Sequence, residues 1–215
     1  MLTTQLYTEQ VPIWPRTGRH ILAQFDDETI IVYQAFRPEI GRHVAKHGRF
    51  GDNFSRSRMS WIKPNFLWMM FRSGWGTKVN QEVTLGLRLR RTFFDSLLAA
   101  AVPSAFPPAC YATEQDWSQA VANSSVRLQW DPDHDPRGAK LERRAIQLGL
   151  RGQLLESFAA RELVEVLDLS EFVAEQREIL ALVGIESLLT PRERVYVPSD
   201  STITARVGLD MGQTD

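Results

Sequence analysis

The sequence predicts an α+β fold: a single domain with a central, mainly antiparallel sheet and flanking helices. Three observations predict it. The chain has 215 residues, 43% hydrophobic and 24% charged, which suffices for one domain with its own core. Segments such as Glu82 to Arg90 alternate apolar and polar side chains with the period of a half-buried strand. Strands and helices also follow one another irregularly, without the βαβα rhythm of a doubly wound parallel sheet. Residues 1–190 are read as this domain and residues 191–215 as a polar C-terminal tail that frays.

The elements follow in order. Met1 to Arg19 carries Pro12 and Pro15 and reads as irregular. Thr29 to Phe36 is β-branched and aromatic, hence a buried strand. Pro38 opens a helix that stops at Gly48, because its missing N–H is not needed in a first turn. Gly51 to Ser60 is a polar loop. Pro64 opens a second, almost wholly apolar and therefore buried helix, Asn65 to Arg72, ended by Gly74 and Gly76. Glu82 to Arg90 is the alternating strand, Thr92 to Val102 a helix, and Pro103 to Ala109 a connection. A short helix over Glu114 to Ala122 precedes a strand over Val126 to Trp130, and the Asp-Pro repeats of Asp131 to Pro136 read as a turn-rich loop. Ala145 to Leu150 alternates as a strand. Gln153 to Arg161 is helical and Leu163 to Leu167 a short strand. Ser170 caps a helix that Gly184 ends.

Composition narrows the function classes. One cysteine, Cys110, excludes a disulfide framework and a multi-cysteine zinc site. No apolar run approaches the roughly 20 residues needed to cross a bilayer, and Met1 to Pro15 lacks the pattern of a signal peptide. Cytoplasmic residence, without membrane contact, is the expectation. The net charge of −1 hides an asymmetry. Arg16 to Arg91 holds 14 Lys+Arg against 6 Asp+Glu, and the rest of the chain holds 11 against 20. A basic half points to an anionic partner, a nucleotide or a nucleic acid.

The densest chemistry lies in Ser57 to Lys78, where Trp61, Trp68 and Trp75 are interleaved with Arg58, Lys63, Arg72 and Lys78. Phe66 to Met70 reads as core. Arg58, Ser60 and Lys63, on the loop before that helix, read as ligand-binding residues: rings stack on a base while Arg58, Lys63 and Arg72 meet phosphates. Tyr33 and Gln34 sit near a strand end, a common ligand position. Glu82 is a lone carboxylate among cations, able to serve as a base or to stabilise developing positive charge. His43 and His47 share a helix face but lack a third ligand, and Asp131, Asp133 and Asp135 lack the rest of a calcium loop, so no metal site is expected. Neither a phosphate-cradling loop nor a dinucleotide fingerprint is present.

DDETIIVYQAF (Asp26 to Phe36), RMSWIKPNFLWMMFRSGWGTK (Arg58 to Lys78), VRLQWDP (Val126 to Pro132) and RRAIQLGL (Arg143 to Leu150) together resemble domain-of-unknown-function family 4291. A more distant likeness is to ADP-ribosyltransferases. There the family has a strand ending in Tyr-Arg or a His, a Ser- or Tyr-bearing strand-to-helix segment, and a Glu leading into a later strand. Tyr33 and Gln34, Ser60, and Glu82 would stand at these places, with Gln34 where the family has Arg or His. That resemblance implies NAD as the bound nucleotide, Glu82 as the catalytic carboxylate, and binding residues drawn from Tyr33, Gln34, Arg58, Ser60, Trp61, Lys63 and Arg72. The competing expectation is a non-catalytic RNA- or DNA-binding module whose tryptophans stack on bases.

Overall fold

The structure is a computed structural model that describes residues 2–108 and 110–210. The chain opens with β1 (Thr4–Leu6), the single turn α1 (Tyr7–Gln10), β2 (Gly18–Arg19) and β3 (Ile21–Ala23). β4 (Thr29–Phe36) and α2 (Pro38–His47) follow, then β5 (Ser60–Ile62), α3 (Phe66–Ser73), β6 (Val83–Arg90), α4 (Arg91–Ala99) and β7 (Ala101–Pro103). The second half holds α5 (Glu114–Asn123), β8 (Val126–His134), β9 (Lys140–Leu150), α6 (Gly152–Ala160), β10 (Leu163–Asp168) and α7 (Ser170–Leu182). β11 (Leu189–Pro191), β12 (Arg194–Tyr196) and α8 (Ser201–Val207) complete it.

The mixed α+β class is as the sequence predicts, but the sheet is divided. β4, β6 and β10 form an antiparallel three-stranded sheet in the order β10–β6–β4. A second sheet runs β2–β9–β8–β7, with β5 also paired to β9. Most pairings are antiparallel; β2 with β9 and β7 with β8 are parallel. The two sheets meet at one isolated bridge, Tyr33 to Lys63, where β4 passes the end of β5. One core fills the space they enclose, with Val32, Leu85, Leu87, Phe94, Leu128, Ile146, Leu148 and Phe158 all buried in it. A second core covers the opposite face of the three-stranded sheet with Ile31, Tyr33, Phe66, Met70, Leu169 and Leu188.

Several expectations are corrected. The segment read as a fraying tail carries a strand and a helix, β12 and α8. β12 pairs with β3, and α8 lays Ile203 and Val207 on the first core. Their spacing, i and i+4, is the helical period that the surrounding polar residues obscured. Residues 211–215 of that segment, and Ala109 of the predicted connection, lie outside the described residues. Asp131 to His134 extends β8 instead of forming a loop, because β9 supplies partners up to Lys140. Ser60 to Ile62, at the end of the predicted loop, is a strand seated on β9. β6 is buried on both faces over its first half: Thr84 is fully buried, and Leu169 packs over Gly86. Among the described residues no helix is long and apolar enough to cross a membrane.

Candidate functional site

Alternation along β8 and β9 sorts their side chains cleanly. Val126, Leu128, Ile146, Leu148 and Leu150 enter the first core. The intervening Arg127, Gln129, Asp131 and Gln147 therefore share the other face of the sheet, since successive side chains point to opposite sides. In β5, Ile62 belongs to the core, so Trp61 and Lys63 fall on that same polar face. Gly149 has no side chain there, and a Cβ would meet the Trp61 ring at 2.9 Å and Met59 Sδ at 2.6 Å. That vacancy lets the indole lie flat on the sheet.

Lys63 is the centre of this face. Its side chain is only 6% exposed, and it makes no hydrogen bond or ion pair with a described residue. Burial pulls its ammonium down to about 8; nearby Arg72 pushes the same way, and Asp131 opposes. Asp131 is itself held by two amides, accepting from Gln129 Nε2 at 2.8 Å and from Gln147 Nε2 at 2.7 Å. Both carboxylate oxygens are thereby aimed. Arg127 adds a buried, unpartnered Nε. A largely buried cation without an ion-pair partner is costly, because it has given up most of its water without a compensating contact. An anionic ligand would supply that contact.

The other side of the strand gap carries a second polar pair. Gln34 donates from Nε2 to Ser60 Oγ at 2.8 Å, and its Oε1 is buried without a partner. Gln34 lies opposite Leu85 in register, which places it on the core side. The structure thus brings Gln34, Ser60 and Lys63 to one parting of strands. Tyr33 joins them through its main chain alone, because its ring lies in the second core, edge-on to Phe66 at 5.4 Å. Its buried hydroxyl has no partner.

Other predicted residues go elsewhere. Arg58 is exposed. Glu82 precedes Val83, whose partner Phe36 is two residues beyond Gln34 along β4. Its Oε1 accepts from the Asn80 N–H at 2.9 Å, while Oε2 is buried without a partner. The opposite parity to Leu85 sends it to the face away from Gln34. Arg72 is exposed and sits over the Trp68 ring at 5.9 Å. Trp68 is 4% exposed and stacks on His134 at 5.4 Å, and Trp75 donates to the Pro136 carbonyl at 3.1 Å. The three tryptophans therefore share no open face.

Gln147, Gln129 and Arg127 were not singled out from the sequence, and Asp131 was weighed only as part of a calcium loop. A signal was present: in VRLQWD every second residue is polar, and Gln147 is the one polar side chain within AIQLGL. No group of three or more His, Cys, Asp or Glu able to hold a metal occurs among the described residues.

A support network holds α3 against this face. Asn65 caps the helix, accepting from Trp68 N at 2.6 Å, and Glu193 Oε1 accepts from Phe66 N at 2.7 Å. Glu193 is 2% exposed, and burial pushes its carboxyl well above the usual range. Beside it Arg143 grips Asp133, with guanidinium-to-carboxylate distances of 2.7 and 2.9 Å, under the ring of Trp14.

A family model described as Domain of unknown function (DUF4291) matches residues 20–196. The match spans β3 to β12 and so takes in the three-stranded sheet, the second sheet apart from β2, and every residue of the polar face. The chain belongs to that family. No curated protein matches it.

Proposed function

We propose that this member of the DUF4291 family is an ADP-ribosyltransferase-like enzyme that binds NAD, or a related nucleotide, across the polar face of β5, β9 and β8. The observation that carries the reading is Lys63, a buried and unpaired cation beside Arg72 and Asp131 where the two sheets part. A pyrophosphate would neutralise Lys63 and Arg72 together, a charge-assisted contact stronger than a neutral hydrogen bond. Trp61 offers a ring for a base, and Arg127 Nε is a buried group on the same face still lacking a partner. These residues suit a dinucleotide phosphate better than a purely apolar ligand.

NAD would supply an ADP-ribosyl group: the bond from ribose to nicotinamide breaks, a bond to the acceptor nucleophile forms, and the acceptor's proton leaves to a base. Motif order gives the carboxylate role to Glu82. Position beside the cations favours Asp131, whose amide clamps would hold it toward developing positive charge.

The test is incubation with NAD labelled on its adenylate half, with RNA, DNA and lysate as acceptors. Lys63→Met should weaken NAD binding by tenfold or more, about 1.4 kcal/mol or greater. Asp131→Asn should spare binding and abolish transfer, with Glu82→Gln retaining turnover. The reverse pattern would return the role to Glu82. Absence of both NAD binding and label transfer in the unaltered protein would sink the enzyme reading. Salt-dependent binding of RNA or DNA would then favour the non-catalytic module.

A further inference from the structure

On the edge of the second sheet, away from Lys63, β7 pairs with β8 only as far as Pro103 opposite Leu128, and Ser104 N donates the last rung to the Leu128 carbonyl at 2.7 Å. The chain then swings off through Phe106. α8 approaches from the other side, its Val207 carbonyl accepting from Trp130 Nε1 at 2.9 Å. Between them lies a cavity of about 710 Å³, walled by Pro103, Phe106, Leu128, Trp130 and Val207. That volume falls within the roughly 300–1,000 Å³ of small-molecule sites.

Two cations border the cavity, Arg19 and Arg206. Neither guanidinium forms an ion pair with a described carboxylate. Arg206 Nε makes one long hydrogen bond, 3.5 Å to the Ala101 carbonyl. Asp210 lies close by, and its Oδ2 is engaged by the Arg19 main-chain N–H at 2.9 Å. The main-chain groups of Trp130 face the same edge as those of Leu128, by the two-residue repeat, and beyond Pro103 no described strand covers them. An aromatic and proline-walled space thus holds two unneutralised guanidiniums and a strand edge.

We propose that this cavity is a second ligand site, separate from the Lys63 face, that takes a small ring-bearing carboxylate. Its ring lies against Trp130 and Phe106, and its carboxylate meets Arg19 and Arg206. The inference does not rest on the nucleotide reading: of the residues that line the cavity only Gln129 belongs to that face, and the proposed contacts are with Trp130, Phe106, Arg19 and Arg206.

Naphthalene-2-carboxylate and its neutral amide serve as probes, each titrated calorimetrically into the full chain. The carboxylate should bind and the amide bind at least about tenfold more weakly, because charge-assisted bonds to two guanidiniums are lost. Arg19→Gln with Arg206→Gln should bring the carboxylate down to the level of the amide. Both changes are at exposed positions, so folding is retained, which circular dichroism checks. Trp130→Leu should weaken both probes. Equal binding of carboxylate and amide, unchanged binding by the double variant, or no binding at millimolar probe would each overturn the proposal.

Discussion

Tyr33 and Lys63 exchange two main-chain hydrogen bonds, Tyr33 N to Lys63 O at 2.6 Å and Lys63 N to Tyr33 O at 3.1 Å. This rung is the sole β-bridge between the two sheets among the described residues. It fixes the main chain of Lys63 while Ile62 before it is locked in the core and Asn65 after it caps α3. The ammonium thus has little freedom to swing out to water, and its low pKa follows from that confinement.

A pH dependence results. Lys63 is charged below about 8 and neutral above it, so anionic nucleotides should lose affinity as pH rises from 7 to 9. Titration of ADP at both pH values measures this; Lys63→Arg should flatten the profile, because a guanidinium stays charged throughout. Stability should move the opposite way. The unfolded chain holds this proton up to the ordinary lysine value of 10.5, the folded chain only to about 8. Below that window both forms carry the charge and the burial penalty is complete; above it both are neutral and the penalty is gone. Urea midpoints should therefore rise between pH 8 and 10 relative to Lys63→Met. Parallel profiles would contradict the assignment.

Glu193 should show the inverse linkage. Its folded pKa is raised, chiefly by burial, so the folded state keeps a proton that the unfolded state releases in the ordinary carboxylate range. The resulting stability is present in acid and is lost as pH climbs through the folded value. Glu193→Gln cannot titrate, so its melting temperature should gain on the native chain between pH 4 and 8, whatever constant offset the amide brings. Glu193→Ala leaves Phe66 N without its acceptor and should cost about 2–4 kcal/mol at every pH. A Gln variant with a constant offset across this range would show that the carboxylate stays ionised.

The buried pair Arg143 and Asp133 invites a double-mutant cycle. Arg143 is 4% exposed and Asp133 is 1% exposed. Removing one partner strands the other, a loss of about 3–5 kcal/mol. Asp133→Leu with Arg143→Met removes both charges and should fall closer to the native chain than either single change. Chemical denaturation measures all four states; additive losses would mean that the two charges are not coupled.

Much of this architecture was legible. Thr29 to Phe36 and Pro38 to His47 match because each carries a strong local signal, β-branched residues in one and Pro and Gly boundaries in the other. Of the residues singled out from the sequence, Gln34 and Ser60 are joined by a hydrogen bond on the core side of the strand gap, and the main chain of Lys63 pairs with that of Tyr33 beside them. What local pattern hid was pairing at a distance. β5 is three residues long and exists because β9, some ninety residues later, offers an edge. The Asp-Pro repeats look like turns until β9 is laid beside them, and Asp131 was for that reason read as a loop residue and not as part of a sheet face. Glu82 drew attention as the acid nearest the basic block in sequence; in the structure it stands just before β6, with Oε1 accepting from the Asn80 N–H.

Gly149 gives the sharpest steric test of the polar face. It stands opposite Trp61 in β5 and Arg127 in β8, and an added Cβ would meet Met59 Sδ at 2.6 Å and two atoms of the indole at 2.9 Å. Met59 is flexible and yields. The indole is rigid and held by a strand with only three paired residues, so Gly149→Ala should lift it from the sheet. Overpacking of this kind costs about 1–3 kcal/mol, visible as a lower melting temperature. Because Lys63 follows Trp61 by two residues, the same displacement should weaken nucleotide binding. Trp61→Leu in the Gly149→Ala background separates the two effects: a smaller side chain accommodates the methyl group, so stability should recover toward that of Trp61→Leu alone. If Gly149→Ala melts and binds like the native chain, Trp61 is not seated as described and the face it borders is not preorganised.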